Sequence, residues 1–107
     1  MKDLNEIKAD RSLHIISSGR DGLMGTCGGM CFVFSWGGGW EHLSVSYRHR
    51  CPTWEEMCSM KDKFFRKDEC CVQYHPAEKD YINANKYCLH IWRPINGVLL
   101  TPPKIFV

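Results

Sequence analysis

A chain of 107 residues with 44% hydrophobic and 24% charged residues has the composition of one ordinary globular domain, which excludes multi-domain, disordered and low-complexity proteins. The formal net charge of +2, with Arg48-His49-Arg50 as its only locally basic run, provides no basic stripe of the kind that marks a nucleic-acid binder. Residues 1–6 hold no apolar signal-peptide core and no run approaches a membrane span, so a cytosolic protein with reduced thiols is expected.

Residues 1–12 are polar, with Leu4 and Ile7 as anchors, and read as a turn or two of amphipathic helix. Leu13-His14-Ile15-Ile16-Ser17 is a β-branched run closed by the turn formers Gly19, Asp21 and Gly22. Residues 22–29 hold Gly22, Gly25, Gly28 and Gly29 but match no phosphate-cradling pattern, and are expected to form a flexible loop. Residues 30–36 are strongly β-prone. The triple glycine 37–39 joins them to Trp40-Glu41-His42-Leu43-Ser44-Val45-Ser46 in the clearest hairpin signal of the chain.

Thr53 followed three residues later by Glu56 is a capping box, and it predicts a helix from 53 to about 66 or 67. Its apolar stripe is Trp54, Met57, Cys58, Phe64 and Phe65, set to pack on a sheet. Residues 70–74 read as a strand ended by His75-Pro76, residues 77–85 as a loop, and residues 87–93 as another strand. The tail from 95 to 107 reads as an extended edge segment. The expected fold is α+β, a single domain over residues 1–107. It is an antiparallel sheet of about four to five strands with one main helix, 53–66, packed on one face.

Seven cysteines raise the question of zinc. Cys27 and Cys31 have an acceptable ligand spacing but no second pair to complete a site, and the adjacent Cys70 and Cys71 point apart on a strand. Free thiols, no metal and no cofactor are therefore expected. A metal site built from Cys88, His90, His42 and His75 is the lesser alternative.

Period-two alternation puts His42, Ser44 and Ser46 on one face of their strand and Leu43, Val45 and Tyr47 on the other. The 87–93 strand repeats the arrangement, with His90 and Trp92 opposite in face to Leu89 and Ile91. If a helix covers the apolar face, the polar one is left free to bind something. Imidazoles and hydroxyls suit phosphate oxygens and proton transfer, and tryptophans suit a stacked base. His42, His90 and Ser44 are thus the catalytic candidates, and Trp40, Ser46, Trp92, Arg93, His75 and Arg48 the ligand-binding ones. Arg50 is a further candidate for a bidentate phosphate contact.

His42-Leu43-Ser44-Val45 resembles one half of the signature of the two-histidine phosphoesterases, whereas His90-Ile91-Trp92-Arg93 departs from it by carrying tryptophan where the hydroxyl belongs. From Trp40 onward the chain also resembles a family of small uncharacterised bacteriophage and prophage proteins. The matching stretches are Trp40 to Ser46, Cys51-Pro52-Thr53-Trp54-Glu55-Glu56-Met57, Gln73-Tyr74-His75-Pro76, and Cys88-Leu89-His90-Ile91-Trp92-Arg93-Pro94 with Pro102-Pro103. That resemblance implies a phage origin and the cytoplasm of a bacterial host. Small phage accessory proteins commonly counter host defence, some by capturing or cleaving nucleotide signals. The leading expectation is therefore a nucleotide or other phosphate-bearing small molecule as partner, bound or hydrolysed. The alternative is an interaction module that inhibits a host protein through an aromatic surface or a sheet edge, and self-association is a further expectation.

Overall fold

The computed structural model describes residues 1–67, 69, 73–77 and 87–94. The element order is α1 (Leu4–Ala9), β1 (His14–Ser18), β2 (Gly22–Cys27), β3 (Met30–Gly37), β4 (Trp40–Tyr47), α2 (Trp54–Phe64), β5 (Gln73–Ala77) and β6 (Tyr87–Pro94). The strands form one antiparallel sheet in the order β1-β2-β3-β4-β6-β5. The α+β fold with one main helix is as the sequence indicates, with six strands among the described residues. Cys70 and Cys71, the loop at 78–86 and the tail at 95–107 lie outside the described residues.

The extra strand is β2, which corrects the expectation of a flexible loop at residues 22–29. Glycine there is required by packing. A Cβ on Gly25 would stand 2.1 Å from the carbonyl oxygen of His14, and one on Gly22 would stand 2.9 Å from that of Phe34. Only Gly28 and Gly29 form the connection, with Cys27 paired to Met30 and φ of +55° and +85°. The next hairpin is built the same way: Gly37 pairs with Trp40, and Gly38 and Gly39 turn with φ of +60° and +84°. Left-handed geometry at both central residues matches the twist of the flanking strands, and glycine adopts it without a Cβ penalty.

The helix α2 starts as read. Thr53 Oγ1 accepts from the Glu56 amide, and the Glu56 carboxylate accepts from the Thr53 amide at 2.8 Å. It stops at Phe64, short of the expected 66, because Phe65 turns to extended backbone (φ −116°, ψ 147°) and carries its ring into the core. Met57, Met60, Phe64 and Phe65 are buried together with Phe32, Phe34, Leu43, Val45 and Ile91. Phe34 is the hub, 4.8 Å from the Phe64 ring and 5.5 Å from that of Phe65 between centroids. Trp54, expected in the apolar stripe, is instead 49% exposed at the first position of the helix.

α1 closes the remaining part of this layer by burying Ile7. Its entry is tied to the end of α2 by the Lys2 amide donating to the Phe64 carbonyl at 2.8 Å. The last strand pair also corrects a boundary: β5 runs through His75-Pro76 to Ala77. Among the described residues β5 is the outermost strand on its side, a position where the missing N–H of Pro76 breaks no interior ladder.

Replacing Gly25 with alanine should destabilise the protein by roughly 1–3 kcal/mol, because the β1 backbone must move to admit one methyl group. Urea unfolding measures this, and an unchanged midpoint would show that β1 does not pass so close to β2.

Candidate functional site

Strand β4 is central in the sheet, flanked by β3 and β6. Its helix-side residues Leu43 and Val45 are fully buried, as the alternation requires. The other side is buried too, which corrects the expectation of a free polar face. Trp40 is 5% exposed, His42 3%, Ser44 6% and Ser46 5%. The same sheet face over β2 and β3 is open by contrast, with Met24 46% and Val33 40% exposed.

The register shows which candidate residues come together. Leu43 pairs with Ile91, a buried core residue, so Ser44 pairs with His90 on the opposite face. His90 pairs in turn with His75 of β5. Ser44, His90 and His75 therefore form one row across β4, β6 and β5. Beside it lies a second row of Ser35, His42, Trp92 and Gln73, and on its other flank a third of Cys31, Ser46, Cys88 and Ala77. His42 is diagonal to His90, a relation that places α-carbons roughly 7–8 Å apart.

Two of the proposed ligand residues do not join this group. Arg93 pairs with Glu41 and so belongs to the helix-covered face. There Glu41 is 3% exposed and accepts from the Met1 ammonium at 3.2 Å. Arg48 follows β4 and is exposed. Trp40, expected to bind ligand, is buried and its indole N–H has no acceptor among the described residues. Trp36 is half-buried against the core.

Arg50, also considered for phosphate, is committed elsewhere. Its guanidinium donates to both Glu56 carboxylate oxygens at 2.7 and 2.9 Å and lies 4.0 Å from the centre of the Tyr47 ring. The Tyr47 hydroxyl donates to the same carboxylate at 2.6 Å. Glu56 thus fastens the end of β4, the following loop and the start of α2 at once. The Arg50 guanidinium holds its carboxyl far below the usual range, with help from the Thr53 amide and the Tyr47 hydroxyl. The Tyr47 hydroxyl is pushed up by its bond to Glu56.

No group of three or more His, Cys, Asp or Glu able to hold a metal occurs among the described residues. Cys27 and Cys31 fail for a simple reason: Cys27 pairs with Met30 on the helix side, whereas Cys31 pairs with Thr26 on the other. Both are free thiols, as are Cys51 and Cys58.

An apolar patch escaped the sequence reading. Ile16 is 66% exposed at a bulge in β1, and next to it Met24 and Val33 face each other across β2 and β3. Met24 and Val33 line a recess of about 210 Å³ together with Ser17, Gly22 and Ser35. The signal was present as alternation in residues 22–27, with Leu23 and Met24 on opposite faces, but the glycines concealed the strand. No described helix is long and apolar enough to cross a membrane. Residues 32–96 match a family model described as a domain of unknown function, DUF7694. Comparison with curated proteins and with solved structures gives no match.

Glu56, held ionised in the folded state, contributes stability that is fully present above the unfolded carboxyl value of about 4.3 and is lost as pH falls below it. The urea midpoint should drop on acidification below pH about 4.3, and Glu56→Gln should flatten that decline. An identical acid limb in the variant would contradict the clasp.

Proposed function

This chain belongs to the DUF7694 family, a domain of unknown function, and within it we propose a small bacteriophage accessory protein that acts on a phosphate-containing nucleotide signal in the host cytoplasm. One observation carries this reading: the pairing of Ser44 with His90 and of His90 with His75, with buried His42 on the diagonal. Buried His42 and Ser44 share neighbouring rows of the sheet with His90 and His75, and histidine and serine supply hydrogen-bond donors to phosphate oxygens. They also supply groups that exchange protons near neutral pH. In a water-poor setting such interactions are stronger than on an open surface. His42 and His90 are the proposed donors or acid and base, Ser44 and Ser46 add hydroxyls, and Trp92, opposite His42, is the stacking residue.

The site adjoins the recess on β2 and β3, since Val33 pairs with Ser44 and Ser35 with His42, and the recess alone, at about 210 Å³, falls below the roughly 300–1,000 Å³ of small-molecule pockets. That recess with its exposed Met24 and Val33, and the exposed Ile16 of the adjacent β1, instead favour the second reading, an interaction module that binds a host protein beside the β1 edge.

Thermal melting with a panel of cyclic and linear nucleotides, together with product analysis, tests the first reading. A ligand at about 100 times its Kd should stabilise the protein by about 2.7 kcal/mol. The effect should disappear in His42→Asn and His90→Asn. If no nucleotide shifts melting and none is consumed, the reading fails. If Met24→Ser and Val33→Ser abolish activity in cells while the histidine variants retain it, the interaction module replaces it.

A further inference from the structure

Among the described residues β1 pairs with β2 alone, and every residue from His14 to Ser18 except Ile15 is exposed. A strand in this position presents a row of main-chain N–H and C=O groups on which another strand can add. Charged side chains, lysine above all, and proline are the usual guards of such an edge. His14-Ile15-Ile16-Ser17-Ser18 contains no Lys, Arg, Asp, Glu or Pro. At its centre stands Ile16, which the bulge adds between Ile15 and Ser17 without a partner on β2. A bulge can turn an edge away from other strands, but this one holds an isoleucine that is 66% exposed, the most exposed large hydrophobic residue described. Charge returns only beyond the two ends of β1. Arg11 precedes the strand and Asp21 follows it, both exposed and neither in an ion pair among the described residues. Asp10, by contrast, is committed to Ser12 at 2.6 Å and to Lys63 at 3.6 Å.

We propose that the β1 edge pairs antiparallel with β1 of a second copy of this chain, about a two-fold axis at Ile16. Ile16 is the middle residue of the strand, so the axis sets it against its own counterpart and joins the two apolar centres. Arg11 and Asp21 are equally far from it in sequence, so the same register directs Arg11 of each copy toward Asp21 of the other. An isologous interface repeats every contact, and this charge pairing therefore occurs twice. A slip of one residue would oppose Arg11 to Arg20 instead. Like charges set opposite each other across strands are destabilising, so the charges at the strand ends select the register that centres Ile16. One segment thus supplies both halves of a complementary surface, which favours a second copy over an unrelated strand. The edge is five residues long, about 17 Å, which belongs with weak and reversible interfaces rather than obligate ones. The inference requires no nucleotide and is independent of the nucleotide reading, whereas it competes with a host protein for the same edge.

Sedimentation equilibrium of the untagged chain from about 1 μM to about 1 mM tests the pairing. A monomer–dimer equilibrium is expected. Ile16→Asp, which sets two carboxylates against each other at the axis, should weaken it at least about tenfold. Arg11→Asp or Asp21→Arg alone should weaken it about threefold or more by opposing like charges. The double variant carrying both changes should recover the wild-type equilibrium, a rescue that only contact between these two positions explains. All three positions are exposed, and circular dichroism of each variant separates loss of pairing from loss of fold. A wild-type chain that is monomeric throughout the range, a dimer indifferent to Ile16→Asp, or a double variant no better than the single ones overturns the proposal. So does a monomer whose activity in cells is lost in Ile16→Asp, an outcome that gives the edge to a host protein. Dimerisation without any nucleotide effect upholds the edge pairing and defeats the nucleotide reading alone.

Discussion

The structure depends on strand β4 being buried on both faces. A strand between two neighbours is satisfied in its backbone hydrogen bonds, but its side chains must still suit two environments. On one side Leu43 and Val45 meet the phenylalanines of β3 and the methionines of α2, a conventional apolar core. On the other, His42, Ser44 and Ser46 are buried with Trp40. Burying such groups costs free energy unless they are hydrogen-bonded, so their presence at the centre of the sheet is a feature the fold has to accommodate. The neighbouring strands then determine what these residues can do, because register alone decides that Ser44 faces His90 rather than Leu89 or Ile91.

The Glu56 clasp keeps that register consistent with the helix layer. One carboxylate caps α2, accepts from Tyr47 at the end of β4 and holds Arg50 in a bidentate pair. The polypeptide leaving the central strand is thereby turned directly onto the helix that covers it. Surface ion pairs alone contribute little, but here the same atoms also complete a capping box, so one side chain couples the strand end to the helix start. The phenylalanine cluster around Phe34 then fills the space between the two layers.

Much of this was legible in the sequence. The capping box, the hairpin at the triple glycine and the alternation of Trp40 to Tyr47 each rest on local chemistry, and each appears where its residues put it. What was not legible depended on partners. Gly25 reads as loop-forming until the β1 carbonyl that excludes a side chain is known. A polar strand face reads as solvated, because sequence does not say what lies above a sheet, and β4 is buried where solvent was expected. Likewise Arg50 reads as a free cation until Glu56 is found six residues on. The parity of the two histidine strands was correct, yet Arg93, adjacent in sequence to Trp92, is carried to the opposite face with Glu41.

The central claim is the strand register of β4, β6 and β5, since the phosphate reading requires Ser44, His90 and His75 in one row. Cross-strand nuclear Overhauser contacts in isotopically labelled protein measure it directly. The account expects backbone contacts of Ser44 with His90 and of His90 with His75. Contacts of Ser44 with Leu89 or Ile91 instead would mean a one-residue slip that sends His90 to the core face, and would contradict it.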